Sequence, residues 1–297
     1  MTGAGSATVA WAPEDEYGEA ADPEEDTWRQ PGVDVEVGDA SLENALERTR
    51  HPDDPTPARS REGQFEGALD ISFSMTDDHW HELVFADDGE ALPTGSMAAP
   101  SSTWYLGADL VDGSEPRTPT GATVVDASIN YNQGEDVTIE LSLLFGDEPD
   151  DIGEPATIEQ PSASEVFTWH GVGLDIDNLG QELMQTATLS LSNLARFRRG
   201  QSRHPFDAVV DAIEPSFSSD AILTERDQLE LAYGGTTPSD TVDDVDGTFS
   251  LENGEAEMVE YVMKGMQPTS YSWNDLVNAD EDLTESIEYH VAMVEVA

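Results

Sequence analysis

Two distant stretches of this chain, Ala40 to Met75 and Leu189 to Ser219, carry the same markers in the same order. Each opens on Ser-Leu-x-Asn (Ser41, Leu42, Asn44; Ser190, Leu191, Asn193), passes through an arginine-bearing, proline-containing segment, and closes on Ser-Phe-Ser (Ser72, Phe73, Ser74; Ser216, Phe217, Ser218). The tail of each half repeats as well. Asp126-Ala-Ser-Ile-Asn-Tyr precedes Val137-Thr-Ile-Glu-Leu-Ser, and Thr269-Ser-Tyr-Ser-Trp precedes Ser286-Ile-Glu-Tyr-His-Val, so that Ile139-Glu140 and Ile287-Glu288 fall at matching places. Recurrence of ordered markers at an offset of about 145 residues describes one unit used twice. The fold class expected is mainly β, as two tandem units of barrel or sandwich type, each with a short flanking helix.

The strand signals fit that plan. Val33, Val35 and Val37 alternate with acidic residues, and Leu69, Ile71, Phe73 and Met75 alternate with Asp70, Ser72 and Ser74, the period of half-buried strands. Between them, 44–66 has few large apolar residues and reads as a long loop. Asp77 and Asp78 are placed to cap a short helix with Trp80, Leu83 and Val84 on its buried face. Strands are expected at 103–110, 123–131 and 137–145, then at 166–172, 183–191 and 209–217, with shorter ones at 248–251 and 259–263. Residues 221–233 read as either helix or strand. The first thirty residues, acidic with Trp11, Tyr17 and Trp28 as anchors, read as an arm that orders against a neighbour or frays. The expected domains are 1–148 and 165–297, joined by a linker, 149–164, rich in Asp, Glu, Pro and Gly.

Composition then narrows the function. The 297 residues include 63 Asp and Glu against 12 Lys and Arg, a formal net charge of -51, and only Lys264 is a lysine. Self-repulsion on that scale opposes compaction unless concentrated salt screens it, which suggests a folded protein of a high-salt cytoplasm. Hydrophobic residues at 37 % and their strand-like spacing argue against a disordered acidic chain. A polyanion is repelled by nucleic acid and gains nothing from counterion release, so binding of nucleic acid by charge is not expected. The absence of cysteine excludes disulfides and thiolate chemistry. Without an apolar run of spanning length or a leader pattern, the expectation is a soluble, unprocessed chain made in the cytoplasm.

No catalytic constellation stands out. Carboxylate pairs occur in almost any window of so acidic a chain and carry no weight. His79 and His81 in Asp-Asp-His-Trp-His-Glu diverge on a helix, and a surface or core histidine is the better reading than a metal ligand. Asp175 to Thr186 begins like a calcium loop but has Leu179 at position five and Thr186 where glutamate is needed. Gly-rich phosphate loops, nucleophile elbows and dinucleotide fingerprints are absent. Neither a cofactor nor a metal is expected, and the chain reads as a structural protein, not an enzyme.

The arginines are the remaining anomaly. Eight of the twelve basic residues, Arg48, Arg50, Arg59, Arg61, Arg196, Arg198, Arg199 and Arg203, lie in the two equivalent loops. Such residues either pair locally with acids at little net gain or meet carboxylates on another copy, where they steer docking and offset repulsion. Their occurrence twice favours the second.

Strand, Ser41-Leu42-Glu43-Asn44, arginine-bearing loop, Gly67-Ala68-Leu69-Asp70-Ile71-Ser72-Phe73, and the second pass through Ser190-Leu191-Ser192-Asn193 to Ser216-Phe217 together resemble the major tail tube proteins of tailed phages and archaeal viruses. The resemblance implies rings stacked into a hollow tube, inner strands of successive subunits joined into one barrel, and a long loop reaching the adjacent ring. It implies self-association as hexamer-like rings, here a trimer of duplicated subunits, with tape-measure, tail terminator and distal tail or baseplate proteins as partners. Viral DNA would pass without specific binding, and no membrane would be involved. The acidity suggests a halophilic archaeal host. Other virion roles (distal tail, baseplate, head decoration) and a halophilic β-sandwich carbohydrate-active enzyme are the alternatives, the last lacking a visible leader or placed carboxylate pair.

Overall fold

A computed structural model describes residues 7–50, 52–53, 56–86, 89–95, 98–110, 113–150, 152–177, 179–181, 183–254, 258–274 and 282–297. The first half contributes β1 (Ala7–Pro13), β2 (Trp28–Arg29), β3 (Val33–Arg50), β4 (Pro57–Ser74), β5 (Ser102–Leu110), β6 (Gly113–Arg117), β7 (Thr123–Asn132) and β8 (Thr138–Phe145). β9 (Ile158–Glu159) lies in the connecting segment. The second half contributes β10 (Val172–Ile176), β11 (Leu179–Gly180), β12 (Met184–Ser192), β13 (Ala195–Arg198), β14 (Asp207–Val210) and β15 (Glu214–Ile222). Helix α1 (Asp227–Tyr233) follows, then β16 (Val245–Glu252), β17 (Met258–Asn274), β18 (Thr284–His290) and β19 (Met293–Val296).

The protein is mainly β, built on a long wall ordered β3-β4-β8-β7-β12-β15-β18-β17. β17 leaves the wall part-way: Gln267 to Asn274 pairs with β18, whereas Met258 to Met266 pairs with β16 and β19 in a second layer that also holds β10 and β11. A further sheet, β6-β5-β1-β2-β9, forms the second layer of the first half. In both halves the wall strands come in the same spatial order relative to the sequence, β3-β4-β8-β7 and β12-β15-β18-β17. The halves are fused edge to edge, since β7 pairs antiparallel with β12, Ile129 opposite Leu189.

Period-2 sequence makes this wall two-faced. One row across it runs Phe73, Ile139, Ile129, Leu189, Phe217 and Tyr289, each at most 1 % exposed. One residue along, the row is Ser74, Thr138, Asn130, Thr188, Ser218, Glu288 and Ser270, all at least partly exposed. Burial of each large apolar side chain in the first row contributes roughly 1.5–3 kcal/mol, so a slip of one residue would be prohibitive. The core extends from this face into the second layer, where Phe217 meets Phe249 at 5.8 Å between ring centroids.

Several expectations need correction. Residues 44–66 are not a long loop: β3 and β4 continue as a two-stranded ribbon, with Arg48 opposite Ser60 and Thr49 opposite Arg59. The ribbon projects past the end of β8, whose pairing with β4 stops at Gly67, so beyond its root at Phe65 no other described strand flanks it to demand alternating apolar residues. The expected N-terminal arm does not fray over its described part, residues 7–30, its first six residues lying outside the described ones. β1 pairs along its whole length with β5, Trp11 and Trp28 are 1 % exposed, and Trp11 lies 6.4 Å from Trp104. Within 149–164, Ile158 and Glu159 pair in parallel with Trp28 and Arg29. The strand expected at 166–172 is instead a turn of 3-10 helix, Trp169–Gly171, leading into β10. Residues 209–217 split between β14 and β15, and 259–263 and 269–273 belong to one strand, β17.

The short helix near Asp77 is a 3-10 helix, His79–Leu83, in which the Asp77 carboxylate accepts the His79 N–H at 3.0 Å. Trp80, Leu83 and Val84 are buried as the spacing predicts. Residues 221–233 are divided between strand and helix, and Gly234 ends α1 at φ 70. His81 is a core histidine: its ring nitrogen Nε2 lies 2.8 Å from the Tyr261 hydroxyl, and burial lowers its pKa to about 4. No helix among the described residues is long and apolar enough to cross a membrane.

Candidate assembly interface

The arginines separate into two groups. Arg48, Arg50, Arg59 and Arg61 lie on the projecting ribbon of β3 and β4 and are exposed. The second loop is a small hairpin, β13 and β14, whose Arg196 and Arg198 form cross-strand ion pairs with Asp211 at 3.4 Å and Asp207 at 3.3 Å. Their side chains remain 59 % and 47 % exposed, so these pairs contribute little to stability and leave the guanidinium groups reachable.

Arg199 and Arg203 are turned inward, onto the base of the first ribbon. Arg199 donates to the Phe65 carbonyl at 2.8 Å and to Glu66 at 2.5 Å, with only 15 % of its side chain exposed. The Arg203 guanidinium lies 5.7 Å from the Phe65 ring centre and bonds the Asn44 side chain, while the Phe65 N–H donates to the Arg203 carbonyl. His204 stacks on Phe65 at 5.2 Å. The two arginine loops, far apart in sequence, are thus one structure: the second hairpin clamps the root of the first ribbon.

Gly67 sits at that root because an added Cβ there would come within 2.1 Å of the Phe145 ring. Arg117, outside the eight, ties β3 to the segment that follows β8 by pairing with Glu148 at 2.6 Å and bonding the Ala40 carbonyl.

The wall ends in two strand edges, the outer sides of β3 and of β17 from Gln267 to Asn274, that pair with no other described strand. Large apolar groups are exposed at both: Val37 at 39 % and Leu42 at 46 % on β3, and Trp273 at 45 % on β17. Sequence reasoning missed these edges, although a tryptophan in the otherwise polar Thr269-Ser-Tyr-Ser-Trp-Asn was a usable signal. Unpaired edges of this kind are where sheets recruit further strands.

The wall is thus polar on one face and, among the described residues, open at two apolar-flanked edges. A family model described as phage tail tube protein matches residues 5–291. The chain belongs to that family. Comparison with curated proteins gives no match. Membership makes the protein a structural component of the virion tail. Among the described residues no group of three or more His, Asp or Glu is arranged to hold a metal ion, and His81 is engaged with the Tyr261 hydroxyl.

Proposed function

We propose that this tail tube protein self-assembles into stacked rings whose joined walls form the conduit for viral DNA, and that each chain supplies two tube units, so that three copies make a pseudo-six-fold ring. The observation that carries this reading is the wall itself. Its two four-strand groups share one order and are fused by the β7·β12 junction, which models how one unit follows the next. The strand order also supports duplication and a division into units at 1–148 and 165–297 about the segment 149–164.

The polar face is the candidate lumen lining. Ser128, Asn130, Thr188, Ser190 and Ser218 place short hydrogen-bonding groups there, and Glu140 and Glu288 add negative charge. The negative charge of such a surface repels phosphate, so DNA slides without being held. Nothing in this role calls for catalysis, a cofactor or a membrane. Arg48, Arg50, Arg59, Arg61, Arg196 and Arg198 are the groups suited to meet carboxylates of the adjacent ring, while Arg199 and Arg203 hold the two hairpins in position to do so. Tape-measure, tail terminator and distal tail or baseplate proteins are the expected partners at the tube ends, with assembly in the host cytoplasm. The net charge of -51 with one lysine supports a halophilic archaeal host.

Negative-stain microscopy of the purified protein across a salt series tests the reading. Rings or tubes are expected in molar salt, where screening permits acidic copies to approach. Protein that stays monomeric at every salt concentration refutes it.

A further inference from the structure

The edge strands carry enough information to assign which residues meet when one copy joins the next. The wall alternates direction strand by strand, so β17 of one copy and β3 of another meet antiparallel, as β7 and β12 do inside the chain. Neighbouring strands set the correspondence. Ile129 and Tyr271 sit opposite Ile139 and Ile287, and Ser128 and Ser270 opposite Glu140 and Glu288, so Tyr271 holds the place of Ile129. On the other side, Leu189 pairs with Phe217 and Val37 with Ile71, strands whose onward partners Tyr289 and Leu141 each lie two residues beyond that isoleucine. Val37 therefore holds the place of Leu189.

Resting on the tube reading above, we infer that the Gln267–Asn274 edge of one copy pairs with the Val33–Leu42 edge of a second, with Tyr271 opposite Val37, Ser272 opposite Glu36, and Trp273 seated in a groove beside β3. That groove is lined by Val9, Val35, Val37 and Ile158, with β1 contributing Ala7 and Thr8 as well, and lies beside the open edge of β3. Among the described residues Val37 is left 39 % exposed there, and the register delivers an aromatic ring to it. Trp273 is prepared for burial: its indole N–H donates to the Tyr271 hydroxyl at 2.6 Å, which donates to Glu285 at 2.7 Å. The ring enters the groove with its one donor satisfied, and its rotamer is fixed before docking. On the polar face, Ser272 and Glu36 take the places of Asn130 and Thr188, whose side chains hydrogen-bond at 3.1 Å across the internal junction. The inferred step therefore repeats a junction the chain already contains, and central aromatic anchors of this type dominate the energy of such interfaces.

The absence of cysteine makes disulfide trapping clean. The variant Ser272→Cys/Glu36→Cys places both thiols on the polar face, opposite each other at a Cα separation of about 4.5–5.5 Å, within disulfide range. Mild oxidation in molar salt should give a covalent ladder on non-reducing gels that ends in a closed species. Ser270→Cys/Glu36→Cys, displaced by two residues, should give little. If the displaced pair links as well as the matched one, the register is wrong. If microscopy shows rings but neither pair links, the edge pairing is overturned and the tube reading stands. If both variants and the unsubstituted protein remain monomeric in all salts, the tube reading fails and takes this inference with it. A second measurement needs no cysteine: the emission lost on changing Trp273→Phe should be red-shifted in monomers and blue-shifted in rings, and an unshifted Trp273 contribution in rings refutes its burial.

Discussion

Replacing Arg199 with alanine separates the structural arginines from the exposed ones. Its guanidinium donates to the Phe65 carbonyl, pairs with a Glu66 that is half exposed, and lies 5.3 Å from the Phe197 ring centre. A charge-assisted bond to a carbonyl contributes about 1.5–3 kcal/mol. The ion pair, discounted for the exposure of Glu66, adds about 0–1 kcal/mol. The ring contact adds about 0.5–1 kcal/mol. Because these share one side chain and are not additive, the expected loss on Arg199→Ala is about 2–4 kcal/mol. Arg199→Lys should recover part of it, keeping charge but losing the planar fork. Arg196→Ala and Arg198→Ala, whose ion pairs are solvent-facing, should each change stability by no more than about 0.5 kcal/mol. Urea unfolding at fixed molar salt, below the concentration at which rings form, measures all four from the midpoint shift at constant slope. An Arg199→Ala loss no larger than that of Arg196→Ala would refute the clamp between the hairpins.

Two further perturbations test the core. Gly67→Ala forces a Cβ into the Phe145 ring and should cost about 1–3 kcal/mol, whereas Gly153→Ala, with open space around it, should be near neutral; equal melting temperatures for the two would contradict the close approach at Gly67. His81 has a folded pKa of about 4, below the ordinary value of 6.5, so the unfolded chain takes up the proton first. Stability should fall as pH drops from 6.5 toward 4, by up to about 3 kcal/mol from this group. His81→Gln, which can still hydrogen-bond Tyr261, should flatten that part of the pH-stability curve, and an unchanged slope would rule the histidine out as its cause.

The β class and most wall strands were legible in the sequence because burial of one face leaves a period of two. Leu189 and Leu191 among serines, and Ile139 and Leu141 beside Glu140 and Ser142, announce both the strand and its inner face. The ribbon at 44–66 was invisible for the same reason in reverse. Beyond its root at Phe65 and Glu66 its two strands pair with no other described strand, so no buried face imposed a period of two on its composition. β1, Ala-Thr-Val-Ala-Trp-Ala-Pro, was missed because it is rich in alanine and shows no polar-apolar alternation, and only Ser102 to Ala108 opposite reveals it as a strand. The recurring markers were visible, but not which strand positions correspond: matching Ser-Phe-Ser sets Phe217 on Phe73, whereas the neighbouring strands set Phe217 in the place of Ile71. Two serines and a phenylalanine recur wherever strands alternate, so local identity could not fix register.

By itself, then, the sequence determined the alternation, the order of the repeated markers, the scarcity of cations and their concentration in two loops. Each of these is a local or compositional property, written wherever a residue must face core or water. Only the tertiary structure decided that β7 joins β12, that Arg199 and Arg203 face inward onto Phe65 while Arg48, Arg50, Arg196 and Arg198 stay exposed, and that β3 and β17 are left as open edges. Strand pairing between distant segments depends on which backbone donors and acceptors are brought together, and every residue but proline carries the same pair.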